Sequence, residues 1–121
     1  MATGAIPIHA DQIDLGNIML VPVTASIASI AAGSPQSPTS FTITKNNVKP
    51  SGTSYFGLLG ARIDEYPMPY TSSGAGGINA TYVERVTMSG NNVTFTLCNL
   101  AGAWSKSGGY TFYAVLAFKK T

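Results

Sequence analysis

The chain has 121 residues, 45% of them hydrophobic and only 10% charged, with a net charge of +2 at pH 7. A soluble domain carries about 25% charged residues, because a small globule has much surface for water to wet. A chain this poor in charge hides surface against other subunits or is held to something larger, and its scattered Lys45, Lys49, Lys106, Lys119, Lys120, Arg62 and Arg85 form no basic stripe for nucleic acid.

At the N-terminus, MATGAIPIHADQIDLG lacks the basic start and apolar run of a signal peptide. The expectation is a product made in the cytoplasm, with residues 1–16 as an anchoring arm ahead of a domain spanning 17–121. His9 with Asp11 could begin a metal site, and Asp14 lies close by. With no second histidine in the chain, the segment reads instead as a solvated arm, with neither metal nor cofactor expected.

The run IMLVPVTASIASIAA is interrupted by Pro22 and by hydroxyls, and falls short of the ~20 apolar residues of a spanning helix. Membrane insertion is therefore not expected. NIMLVPV at 17–23 is strand-like, and Pro22, lacking a donor, places its part at an edge or bulge. Alanine-rich TASIASIAA at 24–32 reads as helix or strand, with strand preferred.

FTITK at 41–45 alternates Phe41 and Ile43 against Thr42 and Thr44. YFGLLGARI at 55–63 is apolar, and its Gly57 and Gly60 mark bends or a close approach of another backbone. ATYVERVTM and NVTFTLCN flank Ser89-Gly90-Asn91, a hairpin turn. In the second of these strands Val93, Phe95 and Leu97 share one face. Cys98, the only cysteine, excludes an intrachain disulfide and a cysteine-based zinc site, and reads as a small buried hydrophobe.

The last strand, GYTFYAVLAFKK, sets Tyr110, Phe112, Ala114, Leu116 and Phe118 on one face and Thr111, Tyr113, Val115, Ala117 and Lys119 on the other. A strand apolar on both faces is central in a sandwich or covered by a partner. Tyr110, Phe112, Tyr113, Val115, Leu116 and Phe118 are accordingly the expected oligomer interface. Short strands at this spacing predict an all-β, single-domain antiparallel β-sandwich or jelly roll.

Two loops stand out. DEYPMPYTSSGAGGIN at 64–79 exceeds the usual loop length, and NLAGAWSKSGG at 99–109 carries the only tryptophan. Tyr66, Tyr70 and Trp104 offer flat apolar faces to a sugar or peptide, with Arg62, Asp64 and Glu65 beside them to bond hydroxyls. The competing assignment is that Tyr66-Pro67-Met68-Pro69-Tyr70 packs locally or on a neighbouring subunit. A glycan-cleaving pair drawn from Asp64, Glu65 and Glu84 is the weaker alternative. Gly74-Ala75-Gly76-Gly77 lacks the Lys-Ser/Thr of a phosphate loop, and no catalytic residue is assigned.

In its Ser/Thr/Gly/Asn-rich strands, its hairpin VERVTMSGNNVTFTL and its closing strand YTFYAVLAFKK, the chain resembles small β-structured proteins of tailed-phage virions. These include fibre-head domains, receptor-binding tips and capsid decoration proteins. The resemblance covers roughly the C-terminal 45 residues and transfers no site residues. It implies a non-enzymatic virion component, a homotrimer seated on a larger capsid or tail protein, with a cell-surface glycan as a further partner. The chain departs from fibre proteins in having no repetitive or coiled-coil shaft.

Overall fold

In the computed structural model, residues 12–68 and 81–121 are described. They form eight strands: β1 (Ile13–Asp14), β2 (Ile18–Ile30), β3 (Thr39–Lys45), β4 (Thr53–Ile63), β5 (Tyr66–Met68), β6 (Thr81–Ser89), β7 (Asn92–Asn99) and β8 (Trp104–Lys120). No helix occurs among the described residues. All pairings are antiparallel. One sheet has the order β1-β2-β8-β4-β5 and the other β3-β7-β6, a β-sandwich as the strand pattern predicts.

The alternation of the sequence becomes the two faces of each sheet. On the inner face of the five-stranded sheet, Met19 pairs with Phe118, Val21 with Leu116, Val23 with Ala114 and Ile27 with Tyr110. From the three-stranded sheet, Val93, Phe95 and Leu97 of β7 meet them, each 0% exposed. Phe95 and Phe112, on the central strands of the two sheets, touch edge to face with centroids 5.0 Å apart. Each such buried side chain contributes about 1.5–3 kcal/mol of transfer free energy.

The ambiguous 24–32 segment is strand as far as Ile30; the register break between Ile27 and Ser29 lets both Ile27 and Ile30 fill the core, while Thr24, Ser26 and Ser29 face water. Pro22 lies beyond the reach of β1, which pairs only with Met19 and Leu20, so its missing donor falls on an open edge. Part of the expected arm is also strand: β1 lies along β2, and Asp14 Oδ1 takes a 2.8 Å bond from Lys120 Nζ. Residues 1–11 fall outside the described residues.

In β4 the two glycines fall at irregularities. The register with β8 shifts between Tyr55 and Gly57 and again between Leu58 and Gly60, so Phe56 and Leu59 are extra residues. The β6–β7 hairpin closes on Gly90 and Asn91, with Gly90 at φ 59° as a tight turn of this kind requires. At the far end of the sandwich Asn99 is fully buried. Its Nδ2 donates to the carbonyls of Ala31, Ala101 and Gly102 at 2.7, 3.0 and 3.2 Å, fastening the end of β2 to the β7–β8 loop.

One register break shapes the candidate site. β8 pairs with β2 through Ile27–Tyr110 and resumes at Ser29–Ser105, so residues 106–109 loop out opposite Ala28. Gly108 and Gly109 take φ of 84° and 71° there. A Cβ on Gly109 would sit 2.7 Å from the Ile27 carbonyl oxygen, so no other residue fits that position undisturbed.

Candidate functional site

The two outer faces differ in chemistry. On the three-stranded sheet the outward rows are Ser40–Cys98–Tyr82, Thr42–Thr96–Arg85 and Thr44–Thr94–Thr87. Nearly every side chain in them carries a hydroxyl. Thr44 and Thr94 share a 3.0 Å bond, and Cys98 Sγ lies 3.2 Å from both Ser40 Oγ and Glu84 Oε1. Cys98 is buried, as expected of a small hydrophobe.

The outer face of the five-stranded sheet is apolar in its middle and polar at its ends. Its rows run Ile18–Lys119–Ser54, Ile13–Leu20–Ala117–Gly57, Pro22–Val115–Gly60, Thr24–Tyr113–Arg62–Pro67 and Ser26–Thr111. Every large hydrophobic side chain exposed among the described residues lies on this sheet or at its β1–β2 turn: Ile13 at 49%, Leu15 at 60%, Phe56 at 64% and Leu59 at 59%.

Four of the six residues expected at an oligomer interface need correction. Tyr110, Phe112, Leu116 and Phe118 are at most 3% exposed, covered by the chain's own second sheet. Only Tyr113 and Val115 face outward and stay within a partner's reach. The sequence pattern shows two apolar faces on β8 but cannot say which of them the fold itself covers.

The sheet also divides the expected aromatic and polar cluster. Tyr66 pairs with Ile63 and Trp104 with Ile30; both aromatics pack at the margin of the core. Arg62 lies on the opposite face, its guanidinium carbon 3.8 Å from the ring centroid of Tyr113. Arg62 Nη1 also donates to the Asp64 carbonyl oxygen. Tyr70 and residues 69–79 of the long loop lie outside the described residues.

Asp64 follows β4 in the turn to β5 at φ 50°, a conformation that aspartate tolerates better than most residues. Its carboxylate takes a 2.6 Å bond from Lys106 Nζ and a 2.9 Å bond from the Thr111 N–H. These two bonds, the lysine first, hold its pKa below the usual carboxylate value, and the same contact raises that of Lys106. Glu65 is exposed, and Glu84 stands at a bulge of β6 in the other sheet. Among the described residues no three His, Cys, Asp or Glu side chains gather as a metal site would need.

A shallow groove of about 190 Å³ opens beside the Arg62–Tyr113 stack, with Gly60, Ala61, Pro67, Ala114 and Val115 completing its lining. Residue reading assigned Arg62 to a ligand and Tyr113 to an interface, and the fold puts them together. The signal for the groove was Gly60, a glycine inside an apolar strand. Lys106 gave no signal, since its reach to Asp64 depends on the loop at 106–109.

Comparison of the chain with protein-family models, with curated protein sequences and with solved structures returns no match. No helix among the described residues is long and apolar enough to cross a membrane.

Proposed function

We propose that the chain is a structural subunit of a phage virion, assembling with copies of itself through the outer face of its five-stranded sheet. The observation that carries this is the contrast between the two outer faces. The chain can build a wettable sheet surface, and does so with hydroxyls on β3, β6 and β7. On β1, β2, β8 and β4 it presents Ile13, Leu20, Pro22 and Val115, with Phe56 beside them. Contiguous exposed apolar surface of this kind marks an interaction site.

Charge supports the same reading. The chain has seven basic and five acidic residues, and two acids are spent on the internal pairs Asp64–Lys106 and Asp14–Lys120. Little ionised surface remains to keep a lone subunit dispersed. The virion assignment itself rests on the resemblance of the hairpin and closing strand, and the homotrimer on that kinship. In this reading the subunit sits on a larger capsid or tail protein and carries no catalytic step.

The test is the solution mass of the wild-type chain beside that of Phe56→Glu with Leu20→Glu. Phe56 is mostly exposed and Leu20 half-buried on the outer face, so the pair leaves the core intact. Assembly predicts an oligomer for the wild type and a monomer for the variant. An unchanged mass removes this face from the account.

A second reading, receptor or carbohydrate binding, draws support from the groove beside Arg62 and Tyr113. The two readings are compatible. The groove lies at the Arg62–Tyr113–Pro67 row, shares Val115 with the apolar face and adjoins exposed Leu59, while Ile13 and Leu15 lie at β1 and its turn.

A further inference from the structure

We infer that this groove is a binding site for a single carboxylated sugar ring, of the hexuronic acid class. The inference rests on the second reading above and deepens it by naming the ligand chemistry.

Among the described residues, Arg62 is the only ionised group in the lining. The acid nearest it in the chain, Asp64, hydrogen-bonds through its carboxylate to Lys106 and the Thr111 N–H; Arg62 bonds its backbone carbonyl and reaches the carboxylate only as a weaker charge interaction through space. The guanidinium is thus held in place, stacked on Tyr113 and bonded at Nη1, with no carboxylate hydrogen-bonded to it among the described residues. A guanidinium has five N–H donors in a planar fork that matches a carboxylate two bonds at a time. An anion is the complementary charge.

The shape of the groove restricts what carries that anion. At about 190 Å³ it is smaller than the roughly 300–1,000 Å³ clefts that enclose drug-sized ligands, and it suits one ring. Its floor is Gly60 beside Val115, and Pro67 lies at the side. The apolar face of a pyranose rests on such a floor, with its carboxylate turned to Arg62 and its hydroxyls to water.

Gly60 leaves the groove open. It shows no left-handed backbone angle, and a Cβ built there would meet nothing within 4 Å, as at Gly57; both glycines sit at register shifts of β4. What its absent side chain leaves is the floor of the groove. Glycine within a strand often marks the place where a ligand approaches the backbone closely.

The experiment is ligand titration of the full chain, followed by amide chemical shifts, using methyl glucuronide and methyl glucoside as probes. The pair differs only in the carboxylate. The expected result is saturable shifts at Gly60, Arg62, Tyr113 and Val115 with the glucuronide, at least tenfold weaker binding of the glucoside, and a similar loss in Arg62→Gln. Gly60→Val fills the groove and abolishes binding while its spectrum away from the site remains that of the folded chain. Equal binding of the two sugars, no binding, or binding that survives Gly60→Val overturns the inference. Solution mass reads the assembly proposal separately, so either can fail while the other stands.

Discussion

Lys106 Nζ reaches Asp64 Oδ2 at 2.6 Å across 42 residues of sequence. The contact depends on the loop-out of residues 106–109 from β8 and on the left-handed turn at Asp64. It closes the end of the five-stranded sheet and engages the Asp64 carboxylate, while Arg62 bonds the Asp64 carbonyl oxygen.

Stability should therefore fall with acid in a way that one residue controls. The folded pKa of Asp64 lies below the unfolded value of about 3.9. Its contribution is complete above the unfolded value and is lost as pH falls through the lower folded one. Lys106 has the opposite sign: its raised pKa gives stability that is present below about 10.4 and lost as pH rises beyond it. Asp64→Asn keeps the turn and the bond from Thr111 but removes the charge. Urea midpoints measured from pH 2 to 7 should decline less steeply towards acid in the variant than in the wild type. Parallel curves would contradict the role given to this carboxylate.

Tyr110 should be improved by losing its hydroxyl. The residue is 3% exposed, and its hydroxyl is buried with no hydrogen-bond partner among the described residues. Burial also pushes its pKa up. An unsatisfied buried polar group costs about 1–3 kcal/mol, so Tyr110→Phe should stabilise by about 1 kcal/mol. Chemical denaturation checks this, and a destabilised variant would show that the hydroxyl has a partner.

The core should depend on the meeting of its two central strands. Phe95→Ala and Phe112→Ala each remove a ring that is 0% exposed and should each cost about 3–5 kcal/mol. Their edge-to-face contact predicts a coupling of about 0.5–1.5 kcal/mol in a double-mutant cycle. Leucine substitutions serve the same cycle if the alanine variants do not fold. Strict additivity would mean that the rings do not interact.

Much of this architecture was legible from period-two alternation. Val93, Phe95 and Leu97 face the core as their spacing requires, and β8 is central because it is apolar on both sides. Gly57 and Gly60 marked the irregularities of β4, and Pro22 marked an open edge. Alternation assigns residues to faces without saying which face the second sheet will cover. Tyr110, Phe112, Leu116 and Phe118 are therefore expected outward when they belong inside. It is equally silent on contacts made through loops, which is why Tyr66 and Trp104 were grouped with Arg62 although the sheet separates them. The Lys106–Asp64 pair required the loop-out of β8, a geometry that local pattern does not encode.

The account stands most directly on the molar mass of the purified chain, measured by light scattering at micromolar concentration. Assembly through the outer face of the five-stranded sheet predicts a discrete multiple of 12.6 kDa, with three copies expected. A stable species of 12.6 kDa that persists across that range would contradict it.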